Sequence, residues 1–179
     1  MQFHETQVAG AFLVDVDLSR DARGAFGRLF CQQAFRRAGI HFEVLQTNIS
    51  RNPTLHTLRG LHTQRPPHEE PKLVQCTSGR VFDVAVDLRP GSPTRGAVVT
   101  VELAADSDRL FYIPPGCAHG FLTLEPHSTL IYYMGAPFVP GVGMGVRFDD
   151  PAFAIPWPAP PAVISPRDAG YPDFAGFGS

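Results

Sequence analysis

Between Arg59 and Leu88 the chain gathers groups of the kinds that move protons and hold anions. Arg59, His62 and Lys72 fall close together, interrupted by Pro66-Pro67. A strand pattern follows in which Asp83 and Asp87 alternate with Phe82, Val84, Val86 and Leu88. Two acids inside so apolar a run are costly to bury unless they are paired or working. Further on, Pro114-Pro115-Gly116-Cys117-Ala118-His119 carries a second histidine from a turn to the start of a strand, and Tyr132 stands in Leu130-Ile131-Tyr132-Tyr133. Two histidines, an arginine, a lysine and a phenol on one β-walled pocket suit proton abstraction next to a ketone. A histidine near neutral pKa is a suitable base. An ammonium such as Lys72 offsets the charge that grows on the keto oxygen. Inverting a carbon centre needs a second group across the ring to return the proton, and Tyr132 is the candidate. A carboxylate behind the histidine would orient it and stabilise the imidazolium.

The elements that must position these groups are short. Weak alternation predicts a strand over 11–18, a turn at Asp21-Ala22-Arg23-Gly24 and a strand over 25–30. A short helix over 32–38 is stopped by Gly39. Strands are expected over 42–50, 55–63, 97–103, 110–113, 120–124 and 129–134. Strict alternation puts Arg59 and His62 on opposite faces. Gly60 between them predicts a bulge that turns both toward the pocket. Many short strands and little helix point to an all-β sandwich or barrel. The 14 phenylalanines are expected to fill its interior, and the Pro-rich segment from about residue 151 to wrap it. The 179 residues read as one domain, 1–179, with no internal repeat.

A net charge of −2 gives no general attraction to nucleic acid or to a membrane surface, so anion binding must come from placed Arg and Lys side chains. No apolar run is long enough for a membrane span. The N-terminus has no basic and apolar leader pattern. Cys31, Cys76 and Cys117 have no metal-ligand spacing and read as thiols of a reducing, cytoplasmic compartment.

The turn before His119 is similar to one found in cupins, a superfamily built on the double-sheet jelly roll. Many cupins hold a metal through two His and a Glu on an earlier strand plus this later His. A metal-dependent oxygenase or isomerase would therefore use His62, Glu69 or Glu70, and His119. Gln64 occupies the second position of the His-x-His pair, and an amide is a poor ligand. A non-catalytic, sugar-binding jelly roll is a third reading.

More segments, in order, resemble the dTDP-4-dehydrorhamnose 3,5-epimerase family of sugar-nucleotide epimerases. They include Asp21-x-Arg23-Gly24-x-Phe26, Gln46-x-Asn48-x-Ser50, Arg59-Gly60-Leu61-His62-x-Gln64, Lys72-Leu73-Val74, Ile113-Pro114-x-Gly116-x-Ala118-His119 and Arg147-Phe148-Asp149-Asp150-Pro151. The resemblance implies a jelly-roll (cupin, double-stranded β-helix) barrel with short peripheral helices, no cofactor and no catalytic metal. It implies a homodimer acting on a nucleotide-linked 4-keto-6-deoxy sugar. His62 matches the base, Asp168 its paired acid, Tyr132 the acid on the opposite face, and Lys72 the group at the keto oxygen. Arg23, Gln46, Asn48, Arg59, His119 and Arg167 match positions that hold sugar and diphosphate. Phe138 stands where a tyrosine stacks on the base. The chain departs from the family at Arg28 and Gly143, where acids are usual, and at Phe138. All three fall at the nucleotide end and leave the reaction centre intact.

Overall fold

The computed structural model describes residues 1–174. Strands β1 (Gln2–Glu5), β2 (Phe12–Asp15), β10 (Arg109–Ile113), β7 (Lys72–Ser78), β12 (Ser128–Met134) and β5 (Gln46–Asn52) form one antiparallel sheet in that order. Strands β13 (Gly143–Gly145), β6 (Leu58–Gln64), β11 (Cys117–Thr123), β8 (Arg80–Asp87) and β9 (Val98–Ala104) form a second. From β6 to β12 the chain crosses between the sheets at almost every connection, the winding of the expected jelly roll. A separate hairpin, β3 (Leu18–Asp21) with β4 (Gly24–Gly27), stands apart. The helices are peripheral and short: α1 (Gln32–Arg37) and α2 (Pro166–Ala169). Among the described residues no helix is long and apolar enough to cross a membrane.

Alternation along β8 places its two faces as the sequence predicts. Phe82, Val84 and Val86 point outward with Leu88, under Leu61, Ala118, Val146, Phe153 and Trp157. Val81 and Ala85 point inward and join Val74, Val101, Phe111, Phe121 and Leu130 between the sheets. Asp83 shares this inner side. Asp87, at the strand end, is not a pocket group. Its carboxylate accepts from Arg89 Nε at 2.8 Å, Ser92 Oγ at 2.5 Å and Thr94 Oγ1 at 2.7 Å. Burial would raise its pKa, but these donors hold it well below the ordinary carboxylate range. It staples the turn between β8 and β9.

The phenylalanines overturn one expectation. Phe111 and Phe121 are inside, but Phe3, Phe12, Phe30 and Phe42, with Phe35 of α1, lie on the outer face of the six-stranded sheet. Phe35 is fully buried there, its ring edge-on to Phe3, Phe30 and Tyr112 at 5.0, 5.1 and 5.9 Å. Each such ring contributes about 2–3 kcal/mol by leaving water. This outer layer makes the second face of the sheet apolar and leaves part of the interior free for a cavity.

The bulge expected at Gly60 is present. Opposite β11, His119 pairs with His62 but Phe121 pairs with Arg59, so β6 carries one residue more than its neighbour. Gly60 has φ +117°, and a Cβ there would lie 2.5 Å from Gly120 Cα and 2.6 Å from the His119 carbonyl oxygen. Neither partner is a flexible side chain. Gly60→Ala is therefore expected to cost about 3 kcal/mol or more, lowering Tm by roughly 6–12 °C for a domain of this size. Calorimetric melting checks it, and an unchanged Tm would mean that the bulge is not needed.

Candidate active site

The bulge turns Arg59 and His62 to the same side, onto a cavity of about 660 Å³ that opens between β5, β6, β7, β11, β12 and the C-terminal segment. Its walls include Asn48, Arg59, His62, Lys72, His119, Tyr132, Arg167 and Asp168. Eight of the eleven residues expected at a site thus meet on one cavity. Asp168 arrives on α2, capped by Ser165: the serine Oγ accepts the Asp168 N–H at 3.1 Å, which fixes the turn.

His62 Nε2 lies 2.7 Å from Asp168 Oδ1, and Asp168 Oδ2 accepts the Gly60 N–H at 3.2 Å. The carboxylate is 4% exposed. With Nε2–H donating to Asp168, the lone pair of the neutral ring is on Nδ1. Burial lowers the imidazole pKa and outweighs the upward pull of Asp168; the charges of Arg167 and His119 add to the lowering. Half-buried on the cavity wall, His62 is biased toward its neutral form, with its Nε2–H held by Asp168.

A second dyad stands beside it, on the neighbouring strand. His119 Nε2 lies 2.7 Å from Asp83 Oδ1, both side chains buried. Burial pushes the Asp83 pKa up against the pull of His119, and Asp83 Oδ2 has no hydrogen-bond partner among the described residues. Sequence reasoning marked Asp83 as out of place without giving it this role; the inward face of β8 was the available signal. The Tyr132 ring sits edge-on to His119, 5.8 Å between centroids. Its hydroxyl pKa is raised well above the ordinary value, first by burial and then by Asp83, with Arg59 opposing. Tyr132 therefore remains a phenol, able to donate, at any neutral pH.

Lys72 and Glu70 form a buried ion pair, Nζ to Oε1 2.6 Å. Glu70 Oε2 also accepts the Gln64 N–H at 2.9 Å. The rest of the ammonium finds no hydrogen-bond partner among the described residues, leaving donors for a ligand oxygen. Gln64 spends its side-chain amide on the carbonyls of His68 and Pro137. These commitments take Glu70 and Gln64 away from the ligand set of a metal-dependent cupin. Among the described residues no three His, Cys, Asp or Glu side chains converge as a metal site. Arg59 is oriented by a residue the sequence reading overlooked: its Nε donates to Asn52 Oδ1 at 2.8 Å, and Asn52 is buried.

Three expected residues lie elsewhere. Gln46 and Phe138 form a rim, the Phe138 N–H donating to Gln46 Oε1 at 2.7 Å and the phenyl ring 69% exposed. Arg23 is outside the cavity of its own chain. It projects from the β3–β4 hairpin, paired with Asp21 at 2.6 Å, beside an 83% exposed Phe26. Of the departures, Arg28 is exposed near Cys31, and Gly143 lies against Arg167.

The chain as a whole has counterparts among known proteins. The family model described as dTDP-4-dehydrorhamnose 3,5-epimerase matches residues 5–176. A dTDP-4-dehydrorhamnose 3,5-epimerase of Sinorhizobium fredii is 38% identical over 173 residues, 96% of this chain and 89% of that protein. The crystal structure of the dTDP-4-dehydrorhamnose 3,5-epimerase of Elizabethkingia anophelis superposes with a TM-score of 0.93 at 34% identity, covering 97% of this chain and 96% of that one. ChmJ, a 3'-monoepimerase from Streptomyces bikiniensis solved with dTDP-quinovose, superposes with a TM-score of 0.87 at 31% identity over 95% and 86% of the two chains. With its model match spanning nearly the whole chain, this protein belongs to the dTDP-4-dehydrorhamnose 3,5-epimerase family, isomerases of the epimerase class.

Proposed function

We propose that this protein inverts C3, C5 or both of a dTDP-linked 4-keto-6-deoxy sugar by removing a proton next to the ketone and returning one to the opposite face. The observation that carries this is the placement of His62, with Asp168 behind it, and Tyr132 on one cavity. His62 takes the proton, and Asp168 stabilises the imidazolium that results. Lys72 meets the enolate oxygen. Tyr132 gives up its phenolic proton on the far side. Arg59 and Arg167 face the diphosphate, for which guanidinium forks are suited. Asn48 and His119 hold the sugar, and Gln46 and Phe138 the nucleotide end, where the ring can stack on the base.

The functional unit in this reading is a homodimer. β5 is an edge strand of its sheet with Ile49 49% exposed and Leu45 beside it 56% exposed. A second copy across this edge would cover these apolar groups and bring the partner hairpin, with Arg23 and Phe26, toward the cavity. Sedimentation equilibrium decides the point: a monomer at micromolar concentration would remove the dimer and the role of Arg23.

The test of activity is incubation with dTDP-4-keto-6-deoxyglucose in heavy water. Deuterium at C3, C5 or both, together with epimerised product, is expected. No wash-in with dTDP, UDP, GDP or CDP forms of the sugar would refute the assignment.

The pH profile gives a further prediction. His62 must be neutral to accept a proton, and burial holds its pKa below the ordinary value, so activity is lost only as pH falls through that lowered value. The acid limb of kcat/KM is expected below about 6.5, the reference imidazole pKa. A limb above it, or a flat profile down to the carboxylate range, would contradict the role of His62.

A further inference from the structure

The C-terminal segment brings one more aromatic residue to the site, and none of the roles above uses it. Tyr171 lies just behind the cavity wall. Its ring meets that of His62 edge-on, with centroids 6.2 Å apart and planes at 67°. Its hydroxyl oxygen accepts a hydrogen bond from Arg167 Nε at 3.1 Å. Both residues lie on a bed made by β13, whose residues Gly143 and Gly145 pair with Gln64 and His62. The two glycines point the same way on the strand, and each is matched to one member of the pair. A Cβ on Gly145 would meet the Leu61 carbonyl oxygen and lie 2.5 Å from Tyr171 Cε2 and Cζ, and a Cβ on Gly143 would lie 2.8 Å from Arg167 Nη2. Neither glycine is held there by a left-handed φ; what each provides is room. The departure from the family at Gly143 thus has a local counterpart, a guanidinium lying over the strand where a side chain would otherwise stand.

We propose that Tyr171 is a positioning residue for anion binding: its ring, fixed between His62 and Gly145, makes the hydroxyl a fixed acceptor that aims the Arg167 guanidinium at the diphosphate of the substrate. Arg167 is an exposed, long side chain on a four-residue helix and would otherwise sample many rotamers. One hydrogen bond to Nε fixes the plane of the fork. It leaves both Nη groups without a hydrogen-bond partner among the described residues, free to meet phosphate oxygens. Loss of the hydroxyl alone changes the aim of Arg167 while the ring stays against His62, so its effect falls on binding. This rests on the reading of the cavity as a nucleotide diphosphosugar site.

Tyr171→Phe tests it, because the ring and its contact with His62 are kept and only the acceptor is lost. Relative to wild type, KM for the nucleotide sugar and Kd for dTDP, measured by calorimetry, are expected to rise together by about three- to tenfold, with Tm unchanged and kcat within about twofold. Arg167→Gln should weaken dTDP at least as much, and adding Tyr171→Phe to it should weaken it no further, since the two act as one unit. Gly143→Ala, which displaces the guanidinium without touching Tyr171, should move KM in the same direction. This variant carries the test even if Tyr171→Phe folds poorly. Wild-type KM and Kd in both Tyr171→Phe and Gly143→Ala, or additive losses in the double variant, would overturn the proposal while leaving the epimerase assignment in place. A wild-type protein that neither binds dTDP nor turns over the sugar would remove both.

Discussion

Replacing His62 by alanine is expected to abolish both epimerisation and deuterium wash-in, with kcat lower by a factor of about 100 to 10,000, the usual contribution of a positioned general base. That corresponds to roughly 3–5 kcal/mol of barrier. The loss falls on kcat and not on KM, because the ring is needed where the proton moves. Alanine also strips Asp168 of its closest partner, leaving a buried carboxylate with the Gly60 N–H. Some loss of stability, about 1–3 kcal/mol, should accompany it. His62→Gln, whose amide nitrogen can reach the place of Nε2, separates the two effects. Its side-chain amide can still donate toward Asp168, so stability is expected to recover while activity does not. A variant lacking the ring that still exchanges the proton at C3 or C5 would show that another group is the base.

How much of this site could be seen in the amino-acid sequence follows from which interactions are local. Gly60 announced the bulge because a glycine set between two chemically useful residues on a strand serves to re-aim them, and the glycine in fact faces backbone that would not admit a Cβ. The inward side of β8 followed from alternation alone. What alternation cannot give is the identity of a partner on another strand. His119 and Asp83 meet across the β11–β8 pairing from 36 positions apart, so Asp83 could be seen as costly but not as the group that holds His119. Glu70 read as a candidate metal ligand because cupins place an acid after the first histidine; its pairing with Lys72, two residues on, depends on how both side chains are buried, which spacing does not mark. The phenylalanines were misplaced for a similar reason. A phenyl on a strand faces one side or the other by register, but whether the outer side is covered depends on α1 and on β1, and β1 was not expected. Strand β13 was not expected either: two glycines in three residues carry no periodicity, and its role is to lie flat under Arg167 and Tyr171. Arg23 was grouped with the site through the resemblance, and a single chain leaves it outside; its fate depends on the symmetry of an assembly.

Tyr132→Phe is expected to give the most informative phenotype: proton exchange without inversion. The phenol and the His62 dyad line one cavity as separate groups, so each serves one face of the ring held between them. Without the hydroxyl, His62 can still remove the proton and Lys72 can still hold the enolate oxygen. The only acid then available is the imidazolium, which returns a proton to the face it came from. His62 is 39% exposed at its side chain and can exchange that proton with solvent before returning it. Substrate recovered from heavy water should therefore carry deuterium with its configuration retained, while epimerised product falls by about 100-fold or more. The protein should remain folded, because Phe keeps the ring that packs against His119 and loses a hydroxyl that makes no hydrogen bond among the described residues. The raised pKa of Tyr132 bears on the same experiment, since a phenol that stays protonated through the neutral range makes the wild-type donor step insensitive to pH there. If Tyr132→Phe instead lost wash-in and inversion in equal measure, the two residues would not divide the faces of the sugar between them. If inversion survived intact, some other donor, with the buried His119–Asp83 pair the nearest by structure, would have to supply the proton.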